Sequence, residues 1–276
     1  MSAVQISGRE DPIFARLQYA VDDGASREYL VNHPGIPRSN YGGTAGHHDV
    51  PIYDGRRAGE DFDLEVHGFE LRAFEGREPD FSDSLSVESI YYPEMERLVM
   101  AASGARRVHV FDHTVRHGDE GEQAARKVRD PVYLVHNDYT HWSAPRRVRQ
   151  LLPEDADELL KRRYAIIQVW RPLVGPVQSD PLAIADARTI SEEHFVAANR
   201  VTENRVGQTW HALHDPGQRF YYFPLMRPDE ALVFKVYDSA QDGRARYTAH
   251  TAFALPGASP EDAPRQSVET RMLAFF

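Results

Sequence analysis

The sequence predicts a mainly β protein with flanking helices, built on a jelly roll, also called a double-stranded β-helix. Three observations carry that expectation. From residue 107 onward, eight short segments show strand patterning separated by turn-rich stretches. Eight antiparallel strands in two sheets is the jelly-roll number. Helical periodicity is confined to a few short stretches. The 276 residues, 41% hydrophobic and 11% aromatic, are enough to bury one large core.

In chain order, residues 32–60 are rich in Gly, Pro, Asn and Asp and read as a long irregular segment. Phe62, Leu64 and Val66 alternate with acidic residues, which predicts a half-buried strand; Phe69-Glu70-Leu71 continues it after Gly68. Pro93 opens a helix in the first turn, where proline is tolerated. Met95, Leu98, Val99 and Ala102 form its apolar stripe, and Gly104 suits the position just past its end. The eight strands follow as 107–114, 131–138, 164–171, 182–187, 220–224, 231–238, 247–253 and 265–275. Short helices are expected at 153–162 and near Thr189, where Thr189 and Glu192 have capping-box spacing. The whole chain, 1–276, reads as one domain. Residues 1–105 form an N-terminal extension on the core, and 106–276 form the jelly roll.

Composition excludes several chemistries. With no cysteine there is no disulfide, iron–sulfur cluster, thiolate zinc site or cysteine nucleophile, so any metal is held by nitrogen and oxygen. A net charge of −10 without a Lys/Arg-rich run gives no footprint for nucleic acid. The N-terminus lacks the apolar segment of a signal peptide, and no stretch has the length of a membrane span. The expectation is a cytoplasmic protein without membrane or nucleic-acid partners.

The second strand ends in His136-Asn137-Asp138. Side chains alternate along a strand, so His136 and Asp138 share a face about 6.6 Å apart along the strand and Asn137 points away. In isolation this is also what a polar strand end looks like. His250, on the seventh strand, would by itself pass for a core histidine. In a jelly roll, however, the second and seventh strands are neighbours. Two imidazoles and one carboxylate then form the facial triad of non-haem Fe(II) oxygenases. Three protein ligands leave three adjacent positions for a 2-oxo acid and O2.

A dicarboxylic co-substrate needs a cation for its far end. Arg265 and Ser267 open the eighth strand on one face. A guanidinium pairs bidentately with a carboxylate, and the hydroxyl adds a bond. Arg271 on the same face and Lys235 are the alternative anchors. Gln168 and Trp170 share one face of the third strand and are expected to line the co-substrate pocket, while Ile167 and Val169 pack outward under helices. His113, Arg116, Tyr139 and Arg171 are candidates for substrate contact. His47-His48-Asp49 reads as a surface loop, and His211 and His214 as another.

The segments HNDYT (136–140), IIQVWRPL (166–173), PLAIADART (181–189), FKVYDS (234–239), HTAF (250–253) and RQSVETR (265–271) resemble the CmcJ/NvfI family. That family includes cephem-methoxylation, gibberellin-desaturase-like and fungal biosynthetic proteins. GFEL (68–71), YYPEMERLVMAASGA (91–105) and VFDHTVR (110–116) match its N-terminal half, so the resemblance spans roughly residues 60–276. It implies Fe(II)- and 2-oxoglutarate-dependent oxidation on a double-stranded β-helix. The His-x-Asp…His pattern falls on His136, Asp138 and His250, and the Arg-x-Ser pattern on Arg265 and Ser267. Gln168 departs from the family's usual Asn. The long separation of His136 from His250 makes 141–220 an insertion that would build substrate walls.

The reading is an Fe(II)/2-oxoglutarate-dependent oxygenase that hydroxylates or desaturates a small metabolite with O2, in specialised metabolism. The alternatives are a cupin-like isomerase or an oxygenase that uses no 2-oxo acid, either of which has no need of Arg265, and a non-catalytic binding jelly roll.

Overall fold

The computed structural model describes residues 11–30, 41–126, 128–203 and 205–276. Residues 1–10, where the absence of a leader was read, and 32–40 of the expected irregular segment lie outside the described residues. The strands are β1 (Ile13–Ala20), β2 (Arg27–Leu30), β3 (Ala45–Asp54), β4 (Phe69–Ala73), β5 (Arg107–His117), β6 (His136–Asn137) and β7 (Tyr164–Pro172). They continue as β8 (Leu182–Ala185), β9 (Phe195–Thr202), β10 (Arg205–Ala212), β11 (Phe220–Tyr222), β12 (Glu230–Asp238), β13 (His250–Ala252) and β14 (Gln266–Phe275). The α-helices are α1 (Ser84–Ser86), α2 (Tyr92–Ser103), α3 (Glu120–Arg126), α4 (Ser143–Leu151) and α5 (Ala156–Leu159).

Among the described residues the strands form a nine-stranded sheet, β1-β3-β11-β8-β13-β6-β10-β9-β2, and a five-stranded sheet, β4-β12-β7-β14-β5. The eight expected strands are β5, β6, β7, β8, β11, β12, β13 and β14. They occupy the centre of the large sheet as β11-β8-β13-β6 and the facing sheet as β12-β7-β14-β5. This is the jelly roll. β1 and β3 widen the large sheet at one edge, and β10, β9 and β2 widen it at the other.

The expected alternation in the third strand is present. Ile166 and Trp170 of β7 pack into the core between the sheets with Phe234, Leu273, Ile184 and Phe220. Ile167 and Val169 face outward against Met95 and Val99 of α2. With both faces covered, every residue of β7 is buried. α2 begins with Pro93 in its first turn and ends at Gly104, whose φ of 71° is left-handed and whose N–H donates to Met100 O.

Several local expectations fail for identifiable reasons. Residues 45–54 are strand β3 rather than irregular chain, because they pair along their length with β1. The expected strand at 62–66 is absent; residues 64–67 are a turn. Asp63 Oδ1 accepts from the N–H groups of Glu65 and Val66, capturing donors that a ladder would need. Near Thr189 there are only two 3-10 turns, Ala187–Thr189 and Glu192–His194. Thr189 Oγ1 donates to Asp186 O instead of capping towards Glu192. The box is formed two residues later by Ser191 and His194. The helix expected at 153–162 is only α5, and α4 precedes it. The hairpin β9–β10 adds two strands to the eight expected from residue 107 onward.

Candidate active site

β6 pairs antiparallel with β13 on one side and β10 on the other, and His250 is opposite His136. Their rings lie 4.5 Å apart between centroids. Asp138 follows directly on the end of β6, and its Oδ1 is 3.4 Å from His136 Nε2. One ligand atom from each of His136, Asp138 and His250 lies within 4.8 Å of the others. Asn137 turns away, as the strand period requires. Its Nδ2 donates to Tyr139 O at 2.8 Å and Val236 O at 2.9 Å, tying the strand end to the opposite sheet.

The surroundings orient all three donors. His136 Nδ1 is 2.8 Å from Leu134 O, and His250 Nδ1 is 3.1 Å from Thr248 O. A carbonyl can only accept, so each Nδ1 carries the proton and each Nε2 keeps its lone pair for a metal. Gly68 lets this strand end come close: at its φ of 84° a Cβ would collide with Thr248 Oγ1, which donates to Gly68 O at 3.1 Å. Arg271 Nε donates to Asp138 Oδ2 at 2.7 Å, leaving Oδ1 beside His136. Burial works against ionising Asp138, but the Arg271 guanidinium and the two imidazoles outweigh it and hold the carboxyl well below its usual range. Burial, reinforced by His136, brings His250 down to about 4, so it is neutral at pH 7. Nitrogen and oxygen donors in a two-imidazole, one-carboxylate set fit Fe(II).

The inner face of β14 carries Ser267, Glu269 and Arg271 at alternate positions, with Glu269 and Arg271 opposite Trp170 and Gln168 of β7, and Arg265 immediately precedes the strand. Glu269 accepts from Arg116 Nε at 2.5 Å and Nη2 at 2.9 Å, and from Arg271 Nη2 at 2.9 Å. Arg265 receives no carboxylate within salt-bridge distance among the described residues. Its Nη1 donates to Asp180 O at 2.7 Å, and its guanidinium carbon lies 5.5 Å from the Trp170 ring centre. Burial pushes Arg265 down to about 10. Its Nε, Ser267 Oγ, Trp170 Nε1 and both amide atoms of Gln168 are buried without a hydrogen-bond partner. Unsatisfied groups collected on one face are costly unless a polar ligand meets them.

The remaining expected site residues divide. Arg116 and Tyr139 line a cavity of about 470 Å³ together with His136 and Asp138. Arg171 does not reach it. The strand period puts Arg171 on the outer face of β7, where it stacks over Phe74 at 3.5 Å and pairs with Glu78. His113 also faces outward, with Nδ1 2.8 Å from Tyr92 Oη on α2. Lys235 is saturated by Glu65 and Asp238 at 2.8 and 2.9 Å and is removed as an anchor.

His47 and His48 lie on β3, not in a loop, and His48 stacks on His214 at 3.9 Å. His211 is not in a loop either. It lies on β10, opposite His136, buried and lining the cavity, and burial brings it down to about 3. The alternation in QTWHAL would have located this strand.

A family model described as "Oxidoreductase/YMDC permease-like domain" matches residues 17–275. The chain is 32% identical to the Fe(II)/2-oxoglutarate-dependent dioxygenase nvfI of Aspergillus novofumigatus, over 95% of this chain and 96% of that protein. It is also 32% identical to the hydroxylase/desaturase CTB9 of Cercospora beticola, over 82% of this chain and 76% of that one. The chain belongs to this family of Fe(II)/2-oxoglutarate-dependent dioxygenases. A solved structure of the iron and alpha-ketoglutarate-dependent endoperoxidase NvfI superposes on the dioxygenase with a TM-score of 0.83 at 28% identity, covering 96% of this chain and 98% of that one. No helix among the described residues is long and apolar enough to cross a membrane.

Proposed function

We propose that His136, Asp138 and His250 hold the Fe(II), and that Arg265 with Ser267 takes the far carboxylate of 2-oxoglutarate. Gln168 and Trp170 line the co-substrate, and a small metabolite is hydroxylated or desaturated in the adjoining cavity. The observation that carries this reading is the unequal use of the buried cations. Arg271 is committed to Asp138, Glu269 and Asp112, and Lys235 to Glu65 and Asp238. Arg265, buried like Lys235, has only a carbonyl. A buried guanidinium with vacant donors is the group that an incoming carboxylate completes. Its Nε, Ser267 Oγ and Trp170 Nε1 supply the hydrogen bonds.

Bound Fe(II) supplies the site for O2 reduction at the expense of the 2-oxo acid, which loses CO2 and becomes succinate. The chain's own residues do the positioning. Asp138 is kept ionised and His250 neutral, so both meet the metal without first losing a proton. Arg271 holds Asp138 through one oxygen. Tyr139 and Arg116 line the space in which the metabolite lies, and its orientation there selects the C–H bond that reacts.

The test is a titration with Fe(II) under nitrogen, with and without 2-oxoglutarate, followed by admission of air and candidate metabolites. Succinate is expected to form in step with an oxidised product. Turnover that needs no 2-oxoglutarate overturns the reading and favours an isomerase-like use of the same triad.

A further inference from the structure

The protein as a whole is acidic, with a net charge of −10, yet the cavity beside the metal ligands is not. Among the described residues its charged lining consists of seven arginines against three aspartates, Asp112, Asp130 and Asp138. Two of those arginines, Arg116 and Arg271, are neutralised by Glu269, Asp138 and Asp112. Arg129, Arg147, Arg200 and Arg205 make no ion pair among the described residues, and all four are half-buried. Exposed arginines elsewhere on this chain commonly pair with a neighbouring acid, as Arg107, Arg126 and Arg227 do. Other arginines, Arg16, Arg106 and Arg149 among them, also make no ion pair among the described residues, but they are scattered, whereas these four share one concave surface.

They come from three separate elements. Arg129 precedes β6, Arg147 is on α4, and Arg200 and Arg205 are diagonal neighbours on one face of the β9–β10 hairpin, opposite Gly207 and Thr202 respectively; the hairpin extends the sheet past His136. Arg129 is lowered by burial and then by Arg116, Arg200 and Arg271, against the pull of Asp112. Arg205 is lowered by burial and then by Arg147, which outweigh Tyr139 and Asp112. Four cations converging from distant parts of the sequence on one concave surface repel one another unless an anion lies between them.

We infer that the primary substrate carries an oxyanion, a carboxylate or a phosphate, seated between Arg129 and Arg200, with Arg147 and Arg205 adding longer-range attraction from the other wall. This rests on the oxygenase reading, since it concerns the metabolite held beside the triad. It makes the charge of the substrate, rather than its apolar body, the feature that fixes which carbon faces the metal.

The probes are benzoate and phenyl phosphate, with benzamide as the neutral match. Each is titrated by ligand-observed NMR under nitrogen into protein saturated with Fe(II) and 2-oxoglutarate, so that the co-substrate already fills its own site. Both anions are expected to bind at least about tenfold more tightly than benzamide, and salt should weaken them. The ratio of benzoate to phenyl phosphate affinity tells which oxyanion the seat was built for. In the R129Q/R200Q variant, anion binding is expected to fall about tenfold while the 2-oxoglutarate constant stays within about twofold. R147Q/R205Q should lose less. Benzamide binding as well as benzoate, or anion binding untouched in R129Q/R200Q, overturns the inference. So does a selective loss of 2-oxoglutarate in that variant, which would hand these arginines to the co-substrate. Wild-type protein that fails to bind 2-oxoglutarate at all sinks the oxygenase reading instead; the anion titrations, repeated with metal alone, then still decide whether the seat exists.

Discussion

Replacing Arg265 by leucine tests the co-substrate assignment most directly. The side chain is buried, and within the protein it makes one charge-assisted hydrogen bond, 2.7 Å to Asp180 O. Its removal costs the fold that bond, about 1.5–3 kcal/mol. It also relieves the burial of a cation without a carboxylate partner, which offsets much of the loss. Arg265→Leu should therefore fold. The co-substrate loses a bidentate partner in a site screened from water, a penalty of about 2–5 kcal/mol. At about 1.4 kcal/mol per tenfold, the 2-oxoglutarate constant should rise from about 30-fold to a few thousand-fold. Fe(II) affinity should be nearly unchanged, because no hydrogen bond or ion pair joins Arg265 to the triad. Calorimetric titration under nitrogen, first with Fe(II) and then with 2-oxoglutarate, measures both. A 2-oxoglutarate constant within about twofold of the parent would refute the reasoning, since a cation this deeply buried must contribute if the carboxylate lies against it.

Three further outcomes follow from the same geometry. His250→Ala should weaken Fe(II) binding by more than the roughly 10–100-fold typical of outer partners, measured by competition with a chelator; iron held as tightly as in the parent means the third ligand is another residue. Arg271→Met removes the 2.7 Å bond that fixes Asp138 and should lower Fe(II) affinity about 10–100-fold with the same readout, while an unchanged affinity would show that Asp138 needs no such support. Glu269 is held at about 2, because Arg116 and Arg271 outweigh the burial that would raise it. Its folded value lies below the unfolded one of about 4.3, so its contribution is complete above that pH and is lost as the pH falls towards 2. Glu269→Gln should cost about 3–5 kcal/mol at neutral pH and flatten the loss of thermal stability below pH 4; an equally steep acid limb in the variant places the effect elsewhere.

Much of the site could be read from local pattern. A strand's period of two puts His136 and Asp138 on one side and Asn137 on the other whatever the strand packs against. The same period sorts Gln168 and Trp170 from Ile167 and Val169, and it aligns Arg265, Ser267 and Arg271. Applied consistently, it would also have placed Arg171 outside, since Arg171 shares its parity with Val169. His113 escaped because parity alone does not say which face is inner. A bulge in the β14–β5 register, between Arg271 and Met272, also breaks the count along β5 before His113 is reached.

The sequence by itself determined the jelly roll, its eight core strands, the shared face of His136 and Asp138 and the exclusion of thiolate chemistry, because alternation, turn residues and composition are properties of neighbouring positions; that His250 lies opposite His136 is set by the pairing of β13 with β6. Only the tertiary structure decided which cation stays free. Arg265, Arg271 and Lys235 are all basic residues at or on strands and largely withdrawn from solvent, and nothing local distinguishes them. Glu65 reaches Lys235 from far upstream, and Asp138 and Asp112 reach Arg271 from two other strand regions. The cationic cavity was equally invisible, since Arg129, Arg147, Arg200 and Arg205 meet through a helix, a hairpin and a loop that are far apart in the chain. Charge compensation is a through-space property, set by which elements the sheets bring together.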